Sequence, residues 1–253
     1  MKGTYYFILI LLAGVATSCN NENSWDCLQT AGDIVQRTYE VPEFSKIRIE
    51  DDVALEIQQG PNRSVIVESG ENLFNEISVD VRDGVLVFTN ANGCNLARDF
   101  RITRAIVTTP ELTEIRNSSV SEVVSREVLR FPRLHLISNT TAGPENPKKS
   151  GDFSLEIEAE FFAVEANGFS NFHISGTVEE AVISFGDEIP RFEGPDLIVQ
   201  ELIVFHRSAN KMIVNPRQKI EGTIQATGDV IAVHRPPVVN VEELFTGRLI
   251  FVD

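Results

Sequence analysis

The residues that could carry chemistry are histidines and groups of carboxylates. The four histidines are His135, His173, His206 and His234. None of them forms a His-x-x-x-His pair and no Cys-x-x-Cys pair occurs, so the chain has no local zinc-binding motif. A repeating fold could bring His173, His206 and His234 close to one another, but we expect histidines of the surface or the rim. The sequence therefore predicts no metal site and no cofactor.

The carboxylates allow two further hypotheses. Glu50–Asp52, or the acidic residues Asp187, Glu188, Glu193 and Asp196, could supply oxygen ligands to calcium. Because a D-x-D-x-D-G loop is missing, we expect a solvated acidic face instead. Asp187 and Glu188 also lie about one repeat from His206 and Arg207, a spacing similar to the carboxylate clusters of polysaccharide-cleaving β-helix enzymes. We favour a surface ion pair. No GxSxG, P-loop or dinucleotide motif occurs either, so we expect no enzyme.

The N-terminus is typical of an exported protein. Lys2 precedes an uninterrupted apolar run over residues 5–16, which is too short for a membrane span of about 20 residues and fits a signal peptide. Three small residues then precede Cys19, and this arrangement resembles the lipobox of bacterial lipoproteins, whose cysteine carries acyl chains such as palmitate. We therefore expect a lipoprotein signal peptide over 1–18, lipidation at Cys19 and a lipidated tether over 19–31. The alternative is an ordinary secretory signal, with this cysteine free or paired.

The acyl anchor and the charge limit the partners. No other apolar run approaches membrane length, so the acyl group would be the only membrane contact of a protein on the bacterial outer membrane. The composition does not decide between its periplasmic side and the cell surface. The formal net charge of -15 argues against nucleic acid, which requires clustered Lys and Arg. An extracellular glycan or protein remains as the expected ligand.

Alternation of apolar and polar residues dominates the chain after Gly32. Residues 46–60 alternate with period two, which is typical of strands with one buried face. The pair Asp83–Gly84 between two such runs predicts a hairpin. Before residue 120 only Glu71–Ile77 could form a short helical turn, and Val120–Arg130 fits either a strand or a helix. The sequence therefore predicts a nearly all-β protein.

The second half of the chain carries a degenerate repeat. Four similar segments begin at Val164, Val182, Ile203 and Ile224, at intervals of 18, 21 and 21 residues. Each has a short β-prone run, a turn residue and a second run, and the turn residues are Gly168, Gly186, Ser208 and Gly228. This period predicts a right-handed parallel β-helix, or solenoid, of short strands over 32–253. Its interior would be filled by Phe172, Phe185, Phe192 and Phe205.

Two structural questions stay open at this point. A β-sandwich would pair the same strands as antiparallel hairpins, but it requires regular turns every 8–12 residues or so, and only Asp83–Gly84 is a clean one. The solenoid could also form two lobes, with a boundary near 143–152, where the sequence is most typical of a linker. Open ends of a solenoid need protection, and the final strand GRLIFVD is one candidate cap.

Several segments resemble a known family. They are Cys27 and Gly32 followed by EFSKIRIEDDVALEIQQG, then ENLFNEISVDVRDGVLVFTNANGCN, PELTEI, and the closing KIEGTIQATGDVIAVHRPP. In order and spacing these are similar to the family of "putative auto-transporter adhesin, head GIN domain". The Gly-Ile-Asn triplet of that family is replaced here by Asp52-Val53-Ala54. The closing coil also lacks the family's Tyr and second Gly, and has Val233 and His234 there.

The resemblance implies a parallel β-helical, envelope-exposed protein without established enzymatic activity. Our leading hypothesis is a lipid-anchored adhesin or ligand-binding solenoid. The alternatives are a polysaccharide-active enzyme on the same scaffold and a structural component of envelope assembly.

The cysteines provide the first testable prediction. With Cys19 lipidated, Cys27 and Cys94 remain as an even pair in an oxidising compartment, and we expect them to form a disulfide. Such a bridge closes a long loop and typically contributes about 2–4 kcal/mol. Mass spectrometry of the mature protein under non-reducing conditions should find these two residues linked. Two free thiols would contradict the prediction.

Overall fold

A computed structural model describes residues 29–93, 99 and 101–252. Within this part of the chain the protein is all-β, as the alternation predicts, with one curled open sheet and almost no helix. The strands of the first half are β1 (Ile34–Thr38), β2 (Lys46–Asp51), β3 (Ala54–Gln59), β4 (Ser64–Gly70), β5 (Ile77–Arg82), β6 (Val85–Asn90), β7 (Arg104–Thr109), β8 (Glu114–Ser119), β9 (Val123–Ser125) and β10 (Arg133–Ser138). The second half has β11 (Phe153–Ala166), β12 (Asn171–Phe185), β13 (Arg191–His206), β14 (Met212–Ile224), β15 (Val230–Ala232), β16 (Val238–Glu243) and β17 (Leu249–Phe251).

The only helical element among the described residues is a 3-10 helix over Glu71–Glu76, at the position where a short helical turn is expected. It buries Leu73 and Phe74 against the sheet. The ambiguous stretch after residue 120 contains the short strand β9. Among the described residues, no helix has the length and the apolar character that a membrane span requires.

Antiparallel pairs are confined to the first half of the chain. They join β1 with β4, β4 with β7, and β5 with β6. The turn between β5 and β6 is formed by Asp83 and Gly84, whose φ angles are 52° and 75°. Two successive positive φ angles suit a two-residue hairpin turn, because their twist matches that of the flanking strands. The predicted hairpin is therefore confirmed.

Parallel pairing joins the rest of the sheet. β2 lies between β6 and β8, and β3 lies between β7 and β9. From β11 to β14 each strand pairs with the next along most of its length, so that Phe153 lies opposite Phe172, and Phe172 opposite Phe192. Parallel neighbours replace the antiparallel hairpins that a sandwich would need. Residues 143–152 lie in the connection between β10 and β11, which belong to the same sheet.

The strands of the repeat are longer than expected. β11 to β14 contain 14, 15, 16 and 13 residues. The turn residues Gly168, Gly186, Ser208 and Gly228 lie between successive strands, as predicted. The expectation of short strands is wrong for these four elements, because the strands continue through Gly176, through Gly194 and Pro195, and through Pro216. Parallel pairing absorbs the irregularity as register shifts between β12 and β13 and between β13 and β14.

Aromatic rings fill part of the interior. Phe153 and Phe172 stack with their centroids 4.8 Å apart, and Phe172 lies 6.0 Å from Phe185. Phe192 is also buried, but the placement of Phe205 in the interior is wrong. Side chains of a strand alternate between its faces, and His206 points inward, so its neighbour faces outward. The ring centroid of His206 lies 5.9 Å from that of Phe185.

Two glycines permit close approach of neighbouring strands. Gly176 in β12 and Gly222 in β14 have φ angles of 115° and 129°. A Cβ atom at Gly176 would overlap the backbone carbonyl of Ile157 in β11, and one at Gly222 would overlap that of Val204 in β13. Each of the two strands therefore requires glycine where it approaches the preceding strand most closely.

We expect Gly176→Ala to lower the free energy of unfolding by about 3 kcal/mol, because strain at positive φ and overlap in a packed sheet each cost about 1–3 kcal/mol. Gly186→Ala is the matched control, since its added methyl would meet no atom closer than 3.8 Å. Chemical denaturation of both variants measures the difference. Equal stability of the two variants would contradict the requirement for glycine at position 176.

Candidate functional site

The candidate site begins at the turn between β2 and β3, where Asp52-Val53-Ala54 stands in place of the family triplet. Asp51 ends β2 with a φ of 60°, a left-handed conformation that Asp adopts more readily than most residues. The backbone N–H of Val53 donates to the carbonyl of Glu50 across the turn. The hydroxyl of Ser121 donates to the carbonyl of Asp52 at 2.6 Å. The turn thus holds two adjacent carboxylates in a fixed position.

Asn90, the last residue of β6, joins these carboxylates to the sheet. Its backbone N–H donates to Asp51 Oδ2 at 3.0 Å, and its Nδ2 donates to Asp52 Oδ1 at 2.7 Å. Nδ2 also lies 3.2 Å from Thr103 Oγ1, which in turn shares a hydrogen bond with Ser69. Asn90, Thr103 and Ser69 are all buried. A buried polar network of this kind is stable only when its members are hydrogen-bonded.

Asn92 extends the network toward the 3-10 helix. Its Nδ2 donates to the carbonyl of Leu73 at 2.9 Å and to Asn90 Oδ1 at 2.6 Å. Its backbone N–H donates to the same oxygen of Asn90. Two segments of the family resemblance therefore meet here, because the turn at Asp52 and the Asn-Gly-Cys-Asn run that starts at Asn92 both contact Asn90.

These residues line a cleft of about 320 Å³. Asp51, Asp52, Asn90, Asn92 and Thr103 form its polar side, Leu73, Ile102 and Val120 form an apolar side, and Gly93, Asp99 and Lys148 complete the wall. Lys148 is exposed, and its backbone N–H donates to the carbonyl of Ser118 in β8. The cleft therefore offers carboxylate and amide oxygens, amide and ammonium donors, and an apolar surface.

The acidic groups of the sequence take part in ion pairs and hydrogen bonds. Glu50 lies 2.7 Å from Arg48, Glu188 lies 3.1 Å from Lys149, and Glu193 contacts both His173 and Arg191. Among the described residues no group of three or more His, Cys, Asp or Glu side chains is placed to hold a metal ion. The calcium hypothesis therefore has no support in this part of the chain.

The histidines lie in different environments. His173 is half exposed and lies 3.2 Å from Glu193, and His135 lies 3.4 Å from Glu165. The prediction of a surface or rim position is wrong for His206, which is fully buried in the interior. Its Nε2 lies 3.0 Å from the carbonyl of Asn210, which can only accept, so Nε2 carries the proton of the neutral ring.

The burial of His206 separates the proposed cluster of Asp187, Glu188, His206 and Arg207. Its ring lies inside the sheet, whereas Asp187 and Glu188 are exposed in the turn between β12 and β13, and Glu188 pairs with Lys149. The described side chains thus do not form the carboxylate and base cluster that a polysaccharide-cleaving site would need. Cys19, Cys27 and Cys94 lie outside the described residues, so lipidation and the disulfide remain predictions.

Sequence reasoning missed Asn90, Thr103 and Lys148 as members of the site. Asn90 carries a detectable signal, because it follows Leu86 and Phe88 in the period-two alternation of β6, and a polar residue on a buried face has to find a partner. The positions of Thr103 and Lys148 depend on how distant segments meet, which no local pattern encodes.

The described part of the chain is thus an all-β protein built mainly from parallel strands, with a polar cleft at the ends of β2 and β6. The chain belongs to the family described as "Putative auto-transporter adhesin, head GIN domain", whose model matches residues 43–236. The resemblance seen in the sequence is thereby confirmed. A comparison with curated protein sequences found no match.

Solved structures with a similar fold include proteins from Bacteroides and Parabacteroides. A crystal structure of a "putative adhesin" from Bacteroides fragilis NCTC 9343 is 16% identical over 88% of this chain and 100% of that chain, with a TM-score of 0.77. One from Parabacteroides merdae ATCC 43184 is 15% identical over 88% and 97%, with a TM-score of 0.62. A "Putative lipid binding protein" from Parabacteroides distasonis ATCC 8503 is 14% identical over 88% and 98%, with a TM-score of 0.60.

The buried His206 makes stability depend on pH. Burial lowers the pKa of His206 below its usual value of 6.5. A second proton would have to bind at Nδ1, which has no hydrogen-bond partner among the described residues. The unfolded chain therefore binds more protons than the folded chain as the pH falls below about 6.5, and the folded state loses stability there.

We expect His206→Phe to remove this dependence. Wild-type protein should lose stability relative to the variant when the pH is lowered from 7.5 to 5, whatever their difference at pH 7.5. Urea unfolding across this range measures it, and His135 cancels because both proteins contain it. If the free energies of unfolding of the two proteins change by the same amount between pH 7.5 and pH 5, the prediction is wrong.

Proposed function

We propose that this protein is a non-enzymatic, lipid-anchored adhesin of the bacterial envelope that binds a hydroxyl-rich glycan in the cleft at Asp51, Asp52 and Asn90. The observation that carries the proposal is the composition of the cleft. Carboxylate and amide groups accept and donate hydrogen bonds to sugar hydroxyls, and the apolar side formed by Leu73, Ile102 and Val120 suits the C–H face of a sugar ring. The volume of the cleft lies at the lower end of the range for ligand pockets, which begins at about 300 Å³.

The arrangement of the carboxylates supports binding over catalysis. Asp51 accepts a hydrogen bond from the backbone N–H of Asn90, and Asp52 accepts one from the side-chain amide of the same residue. Cleavage of a glycosidic bond requires one carboxylic acid that donates a proton and a second carboxylate across the bond. Both carboxylates here are held as acceptors on one side of the cleft, which fits a recognition site.

A lipid ligand fits the described interior less well. One structural neighbour carries a lipid-binding description. In this chain, however, the interior beneath β11 to β13 is occupied by the rings of Phe153, Phe172 and Phe185 in mutual contact. The cleft itself is lined by charged and amide side chains. Both features favour a polar ligand.

We also propose that the curled sheet is a right-handed β-solenoid with one coil per repeat. Support comes from the uniform parallel pairing of β11 to β14 and from its register, in which Met212 lies opposite Val230 after Phe192 lies opposite Met212. Right-handed crossovers between parallel strands are by far the commoner form. A solenoid would present an extended outer face to large ligands.

The envelope location rests on the N-terminal segment and the family. The signal-like residues 1–18 and the small residues before Cys19 support an acyl anchor in the outer membrane. Membership of an adhesin family fits exposure at the envelope. The tether over 19–31 would then hold the sheet close to the membrane surface.

A second candidate surface is an apolar strip on the outer face of β11 to β13, made of Phe161, Ala163, Val182, Ile203 and Phe205. Ala163 lies opposite Val182, which lies opposite Ile203, and all five residues are partly exposed. Glu180 and Glu201 border the strip in the neighbouring row. An apolar surface with a charged border is typical of protein–protein contact, so this strip favours adhesion to a protein.

A glycan and matrix-protein array distinguishes the two surfaces. The full chain carrying Cys19→Ser, which stays soluble because no acyl chain is added, should bind a subset of glycans. Lys148→Ala should weaken that binding at least about tenfold, because a charged hydrogen bond contributes about 1.5–3 kcal/mol. Arg207→Ala, an exposed cation in the turn between β13 and β14, is the matched control and should leave binding unchanged.

The opposite outcome is equally informative. Glycan binding that persists in Lys148→Ala and in Asp51→Asn would contradict the proposal that the cleft binds the glycan. Binding to matrix proteins alone, lost in Ile203→Ser, would assign adhesion to the apolar strip instead.

A further inference from the structure

The last repeat exposes more apolar surface than any other part of the described chain. Nine large apolar side chains are strongly exposed, and six of them lie within residues 238–252. These six are Val238, Val239, Leu244, Phe245, Ile250 and Val252. Exposed apolar side chains are normal when single, but a concentration of them marks a surface that another molecule covers.

The strands of this repeat also have open edges. Among the described residues β16 pairs only with β14, and β17 only with β15. The N–H of Leu244 donates to the carbonyl of Ile224 in β14. Because backbone groups of a strand alternate between its two edges, those of Val239, Val241 and Glu243 point away from β14. An open edge with apolar side chains is a template for another strand.

We propose that β16 pairs with β16 of a second copy of this chain, antiparallel and centred on Asn240, to form an end-to-end dimer. A two-fold axis through Asn240 places the same strand opposite itself in reverse direction. Val239 then lies opposite Val241 of the second copy, and both belong to the edge-facing set. Each of the two Val239–Val241 pairs exchanges two backbone hydrogen bonds, which is the narrow hydrogen-bonded pair of an antiparallel ladder.

The side chains fit this register. Val239 and Val241 align with Ile220 and Gly222 of β14, on the face that carries the buried Ile220, so they continue the interior across the interface. On the outer face Asn240 lies opposite Asn240 of the second copy, and Val238 lies opposite Glu242 of that copy. No glutamate therefore faces a glutamate, which is the repulsion that usually prevents such pairing.

One ion pair within this repeat joins Glu243 to Arg248. Glu243 Oε2 lies 3.4 Å from Arg248, and Glu243 Oε1 accepts the N–H of Leu249 at 2.9 Å. The arginine offsets part of the negative charge of this carboxylate. The carboxylate also accepts the N–H of Leu249, so this backbone donor of β17 is already occupied. We therefore expect pairing at β16, where the edge-facing N–H groups of Val239 and Val241 have no partner among the described residues.

The opposite end of the sheet differs. There β1 and β5 are the outermost strands, and Ile34 of β1 is the only one of the nine strongly exposed apolar residues in these two described strands. Self-association through that end would bury little apolar surface. The proposal therefore predicts a closed dimer and excludes chains of three or more copies.

The test uses the full chain carrying Cys19→Ser, with a chain mass of 28.1 kDa. Sedimentation velocity should show a concentration-dependent dimer. Val241→Pro removes an edge-facing N–H that has no partner among the described residues, and Val239→Lys adds a charge. Each substitution should raise the dimer dissociation constant at least about tenfold, which corresponds to about 1.4 kcal/mol. Ile34→Lys, at the other end, should dimerise normally. A wild-type chain that stays monomeric at all concentrations would overturn the proposal.

A crosslink keeps the test valid if these variants fold poorly. Asn240 forms a wide, non-hydrogen-bonded pair with its symmetry mate, where Cα atoms lie about 4.5 Å apart, within the range of a disulfide. Asn240→Cys should therefore give a covalent dimer on a non-reducing gel, whereas the exposed Glu145→Cys should not. Equal crosslinking of the two variants, or none in either, would argue against pairing at β16.

Discussion

Parallel pairing of each repeat with the next, in register, is the constraint on which the rest of this structure depends. It places Phe153 opposite Phe172 and Phe172 opposite Phe192, so residues with the same inward direction form continuous rows. Rings in such a row can stack at 4.8 Å, close to the spacing of neighbouring strands. The same alignment requires glycine at Gly176 and Gly222, where a Cβ would overlap the backbone of the preceding strand.

The cleft is a consequence of the same alignment. β2 is parallel to both β6 and β8, so the carboxyl ends of the three strands meet at one edge of the sheet. Asp51 ends β2, Asn90 ends β6 and Ser119 ends β8. Asn90 donates to the carboxylate of Asp51, and the backbone N–H of Val120, directly after β8, donates to the carbonyl of Asp51. Asp51, Asn90 and Val120 all line the cleft. The side chains that line the proposed binding cleft therefore also hold these strand ends together.

Local patterns in the sequence predict the parts of this protein that local forces determine. The alternation of apolar and polar residues predicts the all-β class, and the pair Asp83–Gly84 predicts the hairpin. Turn residues such as Gly168 predict where one repeat ends and the next begins. The inward position of His206 could not be predicted, because a histidine at the end of an apolar run is as compatible with a rim as with the interior until the register is known. The cleft is missed for a similar reason, since Lys148 and Thr103 reach it from segments far apart in the chain.

A sheet that grows by parallel pairing has to end somewhere, and the two ends of this one differ in kind. At one end the chain reverses direction, and antiparallel strands β1, β4 and β5 cover the parallel pairs. At the other end the parallel order continues into β16 and β17 with no reversal among the described residues. Antiparallel strands can be added by short turns, whereas another parallel strand needs a full crossover. An end that keeps the parallel order therefore leaves both its backbone groups and its inward side chains partly uncovered, and a second molecule is the simplest way to satisfy both at once.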